Sequence, residues 1–229
     1  SCSRILTATV TGIVVTATPA QPVITNVGAL TQCEGSVSLT LNSDGTGTNH
    51  QWYKNGAIIA GATANSYAVP DAVTSTGTYT VTTTTAGCTS ITSAGINVII
   101  NARPQDLAVT AQSATAICEN QAITVRIANS EAGVNYQIFD QGATSRSSVI
   151  AGTGANLDIV TSALPVGTTT LTVTATNPTT SCTRVLTATV TGIVVTATPA
   201  QPVITNVGAL TQCQGGVSLT LNSDGAGST

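Results

Sequence analysis

Apolar and polar residues alternate with a period of two through much of the chain. The alternation is clearest in the segments 37–41 and 171–175, where serine or threonine separates apolar residues. The apolar residues that would face a core are Val37, Leu39, Leu41, Leu171, Val173 and Ala175. Such a pattern is typical of antiparallel strands that are covered on one face. No stretch indicates a helix, so the sequence predicts an all-β protein.

Turn signals separate these runs at short intervals. They lie at 42–45 (NSDG), 54–56 (KNG), 76–77 (TG) and 177–178 (NP). Many short strands divided in this way predict a sandwich or a barrel.

An internal repeat organises the chain. Residues 6–33 recur without change as 186–213, and the similarity extends from residues 1 and 181 to residues 47 and 227. The offset is 180 residues, which we interpret as the period of a tandem array. We therefore expect the chain to be an excerpt of a longer protein.

Each period has two halves of about 85 to 95 residues, the size of an immunoglobulin-like sandwich. In each half a cysteine precedes an alternating strand, and a tyrosine, a Gly-Thr strand and a second cysteine follow. Proline-containing junctions at 18–22, 101–104 and 199–202 predict short, stiff links. The predicted domains are 1–19 (the end of a preceding domain), 20–103, 104–198 and 199–229 (the start of the next), arranged end to end.

Composition narrows the functional classes. Only 7% of the residues are charged, and six basic residues cannot form the face that nucleic acid requires. Because 41% of the residues are hydrophobic, we expect a folded core. No apolar run reaches the roughly 18 residues of a membrane helix, and the N-terminus does not resemble a signal peptide.

Six widely spaced cysteines are present: Cys2, Cys33, Cys88, Cys118, Cys182 and Cys213. They lack the close spacing of a zinc site, so we predict neither a metal nor a cofactor. Their even number favours disulfides and a compartment outside the reducing cytosol. The alternative is that they are buried free thiols.

Two aromatic residues have expected structural roles. Trp52 stands where the third strand of an immunoglobulin-like sandwich carries a core tryptophan. The alternative is an exposed ring that stacks on a sugar. Tyr79, at the start of a Gly-Thr strand, resembles a tyrosine corner, and we favour that role over a catalytic phenol.

Candidates for chemistry are few. His50 has no catalytic motif near it, and we expect it to face solvent at a strand end. The aspartates are scattered and do not form an EF-hand loop, although an isolated calcium site in a loop stays open. No nucleophile motif or phosphate loop is present, so we expect that the chain is not an enzyme.

Several motifs together carry a family resemblance. They are Cys33-x-Gly35-x-Val37-x-Leu39, then 51–56 (QWYKNG), 59–63 (IAGAT), 77–81 (GTYTV) and 87–88 (GC). This series resembles the Ig-like and PKD-like repeats of giant secreted surface proteins of Bacteroidetes, whose best-known members include the mobile adhesin of gliding motility. The second half matches more loosely. The resemblance implies type IX secretion and display at the outer membrane, and it supplies no catalytic residues.

With one early and one late cysteine in each domain, we predict the pairs Cys33–Cys88 and Cys118–Cys182. By the repeat offset, Cys2 and Cys213 would have their partners in domains that the excerpt cuts.

The expected function is structural: a stalk segment of a filamentous cell-surface adhesin that spaces a distal adhesive tip from the cell. Its partners would be neighbouring repeats of the same chain and extracellular surfaces or glycans. One alternative is a repeated, weak glycan- or surface-binding module, whose affinity multivalency would raise. Another is an accessory region of a secreted enzyme.

Overall fold

The computed structural model describes residues 11–207, residue 214 and residues 220–223. Its regular elements are strands and one 3-10 turn, Val73–Ser75, so within the described residues the protein is all-β. The chain divides into two compact units. The first holds the residues up to Gln105 together with Thr176–Arg184, and the second holds Asp106–Ala175 and the residues from Val185 onward.

Residues 11–105 contain nine strands. They are β1 (Ile24–Val27), β2 (Thr31–Cys33), β3 (Thr40–Ser43), β4 (Asn49–Lys54), β5 (Ala57–Ile58), β6 (Ser66–Ala68), β7 (Gly77–Thr85), β8 (Cys88–Thr89) and β9 (Ile96–Asn101). One sheet has the order β1-β3-β6 and the other β2-β9-β7-β4-β5, with β8 beside β7. Strand β2 runs parallel to β9, and the other pairs are antiparallel. This is the strand order of an immunoglobulin-like sandwich.

The core of this first sandwich lies between its two sheets. It consists of Leu39, Leu41, Trp52, Val69, Tyr79, Val81, Val98 and Ile100. Most of these residues have polar neighbours that face away from the core, since successive side chains of a strand point to opposite faces. Apolar burial between the sheets therefore accounts for the period-two pattern of the sequence.

The β4–β5 hairpin shows how local sequence sets a turn. Asn55 and Gly56 have φ angles of 50° and 79°, and Lys54 pairs with Ala57 across them. A two-residue turn with two positive φ angles matches the twist of the flanking strands, and Asn-Gly is its preferred sequence.

Nine further strands follow. They are β10 (Val109–Ala111), β11 (Ala116–Cys118), β12 (Thr124–Ile127), β13 (Asn135–Asp140), β14 (Ile150–Ala151), β15 (Leu157–Val160), β16 (Leu171–Thr176), β17 (Thr183–Val185) and β18 (Val194–Thr196). They form the sheets β10-β12-β15, β14-β13-β16-β17 and the parallel pair β11-β18. The first two sheets repeat the order of the first sandwich, whereas β11-β18 forms a separate sheet instead of joining β16. The turn between β16 and β17 belongs to the first compact unit.

The second sandwich has its own, larger core. Its fully buried side chains include Ile123, Val125, Ile127, Tyr136, Ile138, Leu164, Leu171, Val173, Ala175 and Leu186. Every second residue of β16 is buried, as the alternation in 171–175 predicts.

The last described strands reproduce the beginning of the first sandwich. Strand β19 (Ile204–Val207) pairs with β20 (Thr220–Ser223) in the register Ile204↔Ser223. Strands β1 and β3 pair in the register Ile24↔Ser43, which is the same register displaced by 180 residues. The sequence repeat is therefore also a structural repeat. The predicted domain boundary between residues 103 and 104 stays a prediction.

Within the described residues, no helix is long and apolar enough to cross a membrane.

Candidate cross-linking site

Cys33 is held at the end of a short edge strand. It closes β2, where it pairs with Asn101 of β9, and the next residue, Glu34, donates its N–H to the Asn101 carbonyl at 2.9 Å. The Gly35 N–H donates to Asp71 Oδ1 at 2.6 Å. These bonds fix the backbone on both sides of the Cys33 sulfur.

Cys182 is held by the turn between β16 and β17. Asn177 Oδ1 accepts the N–H groups of Thr179 and Thr180 at 2.9 and 3.3 Å, in the manner of an Asx turn. The Asn177 N–H donates to the Cys182 carbonyl at 2.9 Å, and Ser181 has a φ of 60°. This turn buries the Cys182 side chain completely.

The two sulfurs form a disulfide across a sequence separation of 149 residues. The Cα–Cα distance of Cys33 and Cys182 is 5.6 Å, within the usual range for such a bond. Both residues lie in the first compact unit. The disulfide therefore closes a covalent loop that contains most of the second sandwich.

Two arginines support the same region. Arg103 Nε donates to the Thr183 carbonyl at 3.0 Å, and Arg184 Nε donates to the Pro104 carbonyl at 2.5 Å. The Arg103 side chain passes over Gly35, where a Cβ would lie 2.2 Å from Nη1. Both hydrogen bonds thus join the segment 103–104 to the residues that follow Cys182.

The predicted pair Cys33–Cys88 is wrong. Cys33 lies beside the end of β9 that pairs with the beginning of β7, whereas Cys88 follows the end of β7. Strand β7 has nine residues and spans roughly 27 Å at about 3.4 Å per residue. A disulfide needs Cα atoms within about 7 Å, so strand geometry separates these two cysteines.

The predicted pair Cys118–Cys182 is wrong for the same reason. Cys118 pairs with Thr196, and the Ile193 N–H donates to the Thr169 carbonyl just before β16. Cys182 follows the far end of β16. Cys88 and Cys118 are free thiols in this structure, the first half-buried and the second exposed. Cys2 and Cys213 lie outside the described residues.

The two free cysteines have distinct surroundings. The Cys88 Sγ–H donates to the Thr16 carbonyl at 3.6 Å. Next to Cys118, the Glu119 N–H donates to the Thr196 carbonyl at 2.7 Å.

Trp52 and Tyr79 lie in the first core. Trp52 is fully buried and its Nε1–H donates to the Ala64 carbonyl at 2.9 Å. The Tyr79 hydroxyl donates to the Ser75 carbonyl, four residues upstream, at 2.7 Å, which is the geometry of a tyrosine corner. Burial, together with charge repulsion from Tyr67, raises the Tyr79 pKa to about 12. The phenol therefore stays protonated and keeps the proton that it donates to the Ser75 carbonyl.

The expectation that His50 faces solvent is wrong. The side chain is only 8% exposed, and within the described residues its Nε2 has no hydrogen-bond partner. The signal was available in the sequence, because His50 is two residues from Trp52 on the same strand. Period two places both side chains on the core face.

The aspartates of the second sandwich are already paired. Asp140 accepts hydrogen bonds from the backbone of Gly142 and Thr144 and from the guanidinium of Arg146. Burial alone would raise the Asp140 pKa, but these donors together lower it. Asp158 forms an exposed ion pair with Arg126 at 2.6 Å. In the described part of the chain, no three acidic, histidine or cysteine side chains are placed to share a metal ion.

Comparisons with known proteins identify no family. No family model matches the chain, and no curated protein matches it. Among solved structures, the ligand-binding domain of human OSCAR is 11% identical, with a TM-score of 0.32 and coverage of 76% of this chain and 100% of that one. A mouse coronavirus receptor-binding domain complexed with its murine receptor is 12% identical, with a TM-score of 0.41 and coverage of 75% and 99%. The immunoglobulin-like assignment therefore rests on the strand order described above.

Proposed function

We propose that this chain is a structural segment of a long extracellular filament, in which repeated sandwiches hold a distal adhesive tip away from the cell. The observation that carries the proposal is the 180-residue repeat, which conserves both the sequence of 6–33 and the strand register of β1 and β3. Near-identical copies suit a spacer, because its function depends only on its length and stiffness. In this proposal no residue of the segment performs chemistry.

The disulfide supports an extracellular location. Disulfides persist in oxidising compartments and are rare in the cytosol. The Cys33–Cys182 loop of 149 residues is worth about 5 kcal/mol in the chain-entropy model. Such a cross-link would stabilise the folded segments of a filament outside the cell. The motif resemblance extends the proposal to a surface adhesin displayed at the outer membrane of a Bacteroidetes cell.

Removing one complete 180-residue period from the full-length protein tests this function. A strand of ten residues spans roughly 33 Å, so two sandwiches end to end would contribute about 70 Å. The deletion should shorten the filament by about that length in electron micrographs and leave cell attachment largely intact. Duplicating the same period is the matched control and should lengthen the filament equally. Loss of attachment with unchanged filament length would contradict the proposal.

A groove in the first sandwich favours a second candidate, a weak surface- or glycan-binding module. It encloses about 440 Å³ and is lined by Lys54, Ile58, Tyr67, Pro70 and Thr74, among others. Ile58 is 66% exposed, so Ile58→Ser should leave the fold intact. Saturable binding on a glycan array that Ile58→Ser abolishes at unchanged melting temperature would support this candidate over the spacer.

A further inference from the structure

We propose that Cys118 forms a disulfide with the counterpart of Cys88 in the next copy of the repeat. The Cys33–Cys182 bond would then be one of a series, with one disulfide for each sandwich of the array. This inference rests on the proposed repeat array and adds the covalent connectivity of that array.

Cys33 and Cys118 are equivalent, and we call them the strand cysteines. Each is the last residue of a short strand that runs parallel to the final strand of its sandwich, opposite Asn101 and Thr196 respectively. In each case the N–H of the following glutamate donates to the carbonyl of that opposite residue, at 2.9 and 2.7 Å. The strand cysteine that is bonded and the one that is free thus have the same backbone environment.

Cys88 and Cys182 are also equivalent, and we call them the hairpin cysteines. Cys88 follows β7 and begins β8, while Cys182 follows β16 and directly precedes β17. Each turn contains a residue other than glycine with positive φ, Ala86 at 48° and Ser181 at 60°. Each sandwich therefore carries a strand cysteine and a hairpin cysteine at opposite ends of a long strand, where they cannot bond to each other.

The observed bond joins the strand cysteine of the first sandwich to the hairpin cysteine of the second, 149 residues later. Applying the 180-residue offset to Cys88 gives position 268, which is 150 residues after Cys118. The same strand-to-hairpin rule therefore predicts a loop of almost identical length for the next bond.

The contact of Cys88 provides an independent observation. Its sulfur lies 3.6 Å from the Thr16 carbonyl, and Thr16 is the counterpart of Thr196 by the same offset. Thr196 is the residue opposite Cys118, and its carbonyl accepts the N–H of Glu119. The repeat thus directs Cys118 and the Cys88 of the following copy to one and the same carbonyl. Two cysteines brought to that position are within reach of each other.

Bond formation requires an oxidant. We specify a disulfide compound, which oxidises the two cysteines by thiol–disulfide exchange. The exposed Cys118 thiolate attacks one sulfur of the oxidant disulfide and expels a thiolate. The thiolate of the Cys88 counterpart then attacks the Cys118 sulfur of the mixed disulfide and releases the second thiolate. The two cysteines lose two electrons and two protons in total, and the oxidant disulfide is reduced to two thiols.

A chain extended by its own repeat tests the inference. Residues 48–227 are added after Gly227, which is the counterpart of Gly47. Cys88→Ser in the first copy and Cys118→Ser in the second leave the proposed partners as the only counterparts of Cys88 and Cys118, and Cys2→Ser with Cys213→Ser in the last copy removes the cysteines whose partners this chain lacks. The chain is folded in a glutathione redox buffer and then denatured. Neither of the two cysteines should then react with an alkylating reagent, and the chain should stay monomeric. Mass spectrometry without reduction should find the two cysteine peptides linked.

The matched control carries the opposite substitutions, Cys118→Ser in the first copy and Cys88→Ser in the second. Its two remaining cysteines lack the proposed relation and should both react with the alkylating reagent. Formation of the Cys33–Cys182 disulfide within both copies reports folding in each variant. Retention of both thiols in the test variant, oxidation only into intermolecular dimers, or equal oxidation of the control would each overturn the inference. Filament shortening on period deletion tests the proposed function separately, because it does not depend on these bonds.

Discussion

The Trp52 ring packs between the two sheets of the first sandwich, and its indole N–H donates to the loop that precedes β6. Its ring lies 6.1 Å from that of Tyr67, which in turn lies 5.8 Å from the Tyr79 ring. The hydrogen bond to Ala64 satisfies the only polar atom that this side chain buries. Removing the indole would leave both a cavity and an unpaired carbonyl.

Trp52→Ala should destabilise the first sandwich by about 3–5 kcal/mol, the usual cost of truncating a large core side chain. Urea unfolding followed by circular dichroism measures the change. Tyr53→Ala is the matched control, because its neighbouring side chain is only half-buried. Equal losses of unfolding free energy in the two variants would contradict the assigned role of Trp52.

Asp140 should make the second sandwich sensitive to acid. Since its pKa is lower in the folded protein than the ordinary 3.8, the ionised carboxylate stabilises the fold above that pH. This stabilisation should be lost as the pH falls below about 3.8 and through the lowered pKa. Melting temperatures measured from pH 6 to pH 2 should therefore fall less steeply for Asp140→Asn than for the parent chain. The prediction fails if the two profiles are parallel.

At this scale the sequence predicts residues whose role follows from strand position alone. Trp52 and Tyr79 are examples, because an inward aromatic and a tyrosine corner are local features. The pairing of Cys33 is not local, since it depends on which end of a strand each sulfur occupies. A Cys33–Cys88 pair fits the sequence pattern. The fold nevertheless rules it out, because the two sulfurs lie at opposite ends of β7.

At the scale of elements, β3 covers only part of the alternating run 37–41, whereas β16 covers all of 171–175. Leu39 is buried although β3 begins only at Thr40. Beside β7, two serine hydroxyls replace backbone carbonyls: Ser93 Oγ accepts the Val81 N–H and Ser90 Oγ accepts the Thr83 N–H, both at 3.0 Å. Alternation predicts which face is buried, but it does not reveal where side chains take over the hydrogen bonds of a ladder.

Glycine replacements should separate the cost of backbone strain from that of close packing. Gly28 and Gly56 have φ angles of 98° and 79°. A Cβ at Gly28 would lie 2.1 Å from the Ser38 carbonyl oxygen, whereas at Gly56 no atom lies within 4 Å. Gly56→Ala should cost about 1–2 kcal/mol, and Gly28→Ala about 1–3 kcal/mol more. Urea unfolding compares the two variants, and similar costs would show that β1 and β3 separate easily at this point.

At the scale of the whole molecule, identical sequences have different surroundings. Ile13 and Val15 are 74% and 88% exposed, while their counterparts Ile193 and Val195 are 3% and 8% exposed. Ile193 and Val195 pack in the core of the second sandwich. The repeat predicts that these segments are alike in sequence, but it does not predict which of them has its apolar residues buried.

The disulfide between Cys33 and Cys182 also determines how the chain would carry a mechanical load. Tension applied between residues 1 and 229 would pass from Cys33 directly to Cys182 and bypass the 149-residue loop. At about 3.4 Å per residue, that loop holds roughly 500 Å of contour length. Single-molecule pulling should release this length only after reduction or in Cys33→Ser. An oxidised chain that extends to its full contour length would contradict the prediction. Strands β3 to β16, which make up most of both sandwiches, would thus be shielded from force, whereas β17 and β18 lie after Cys182 and would still carry it.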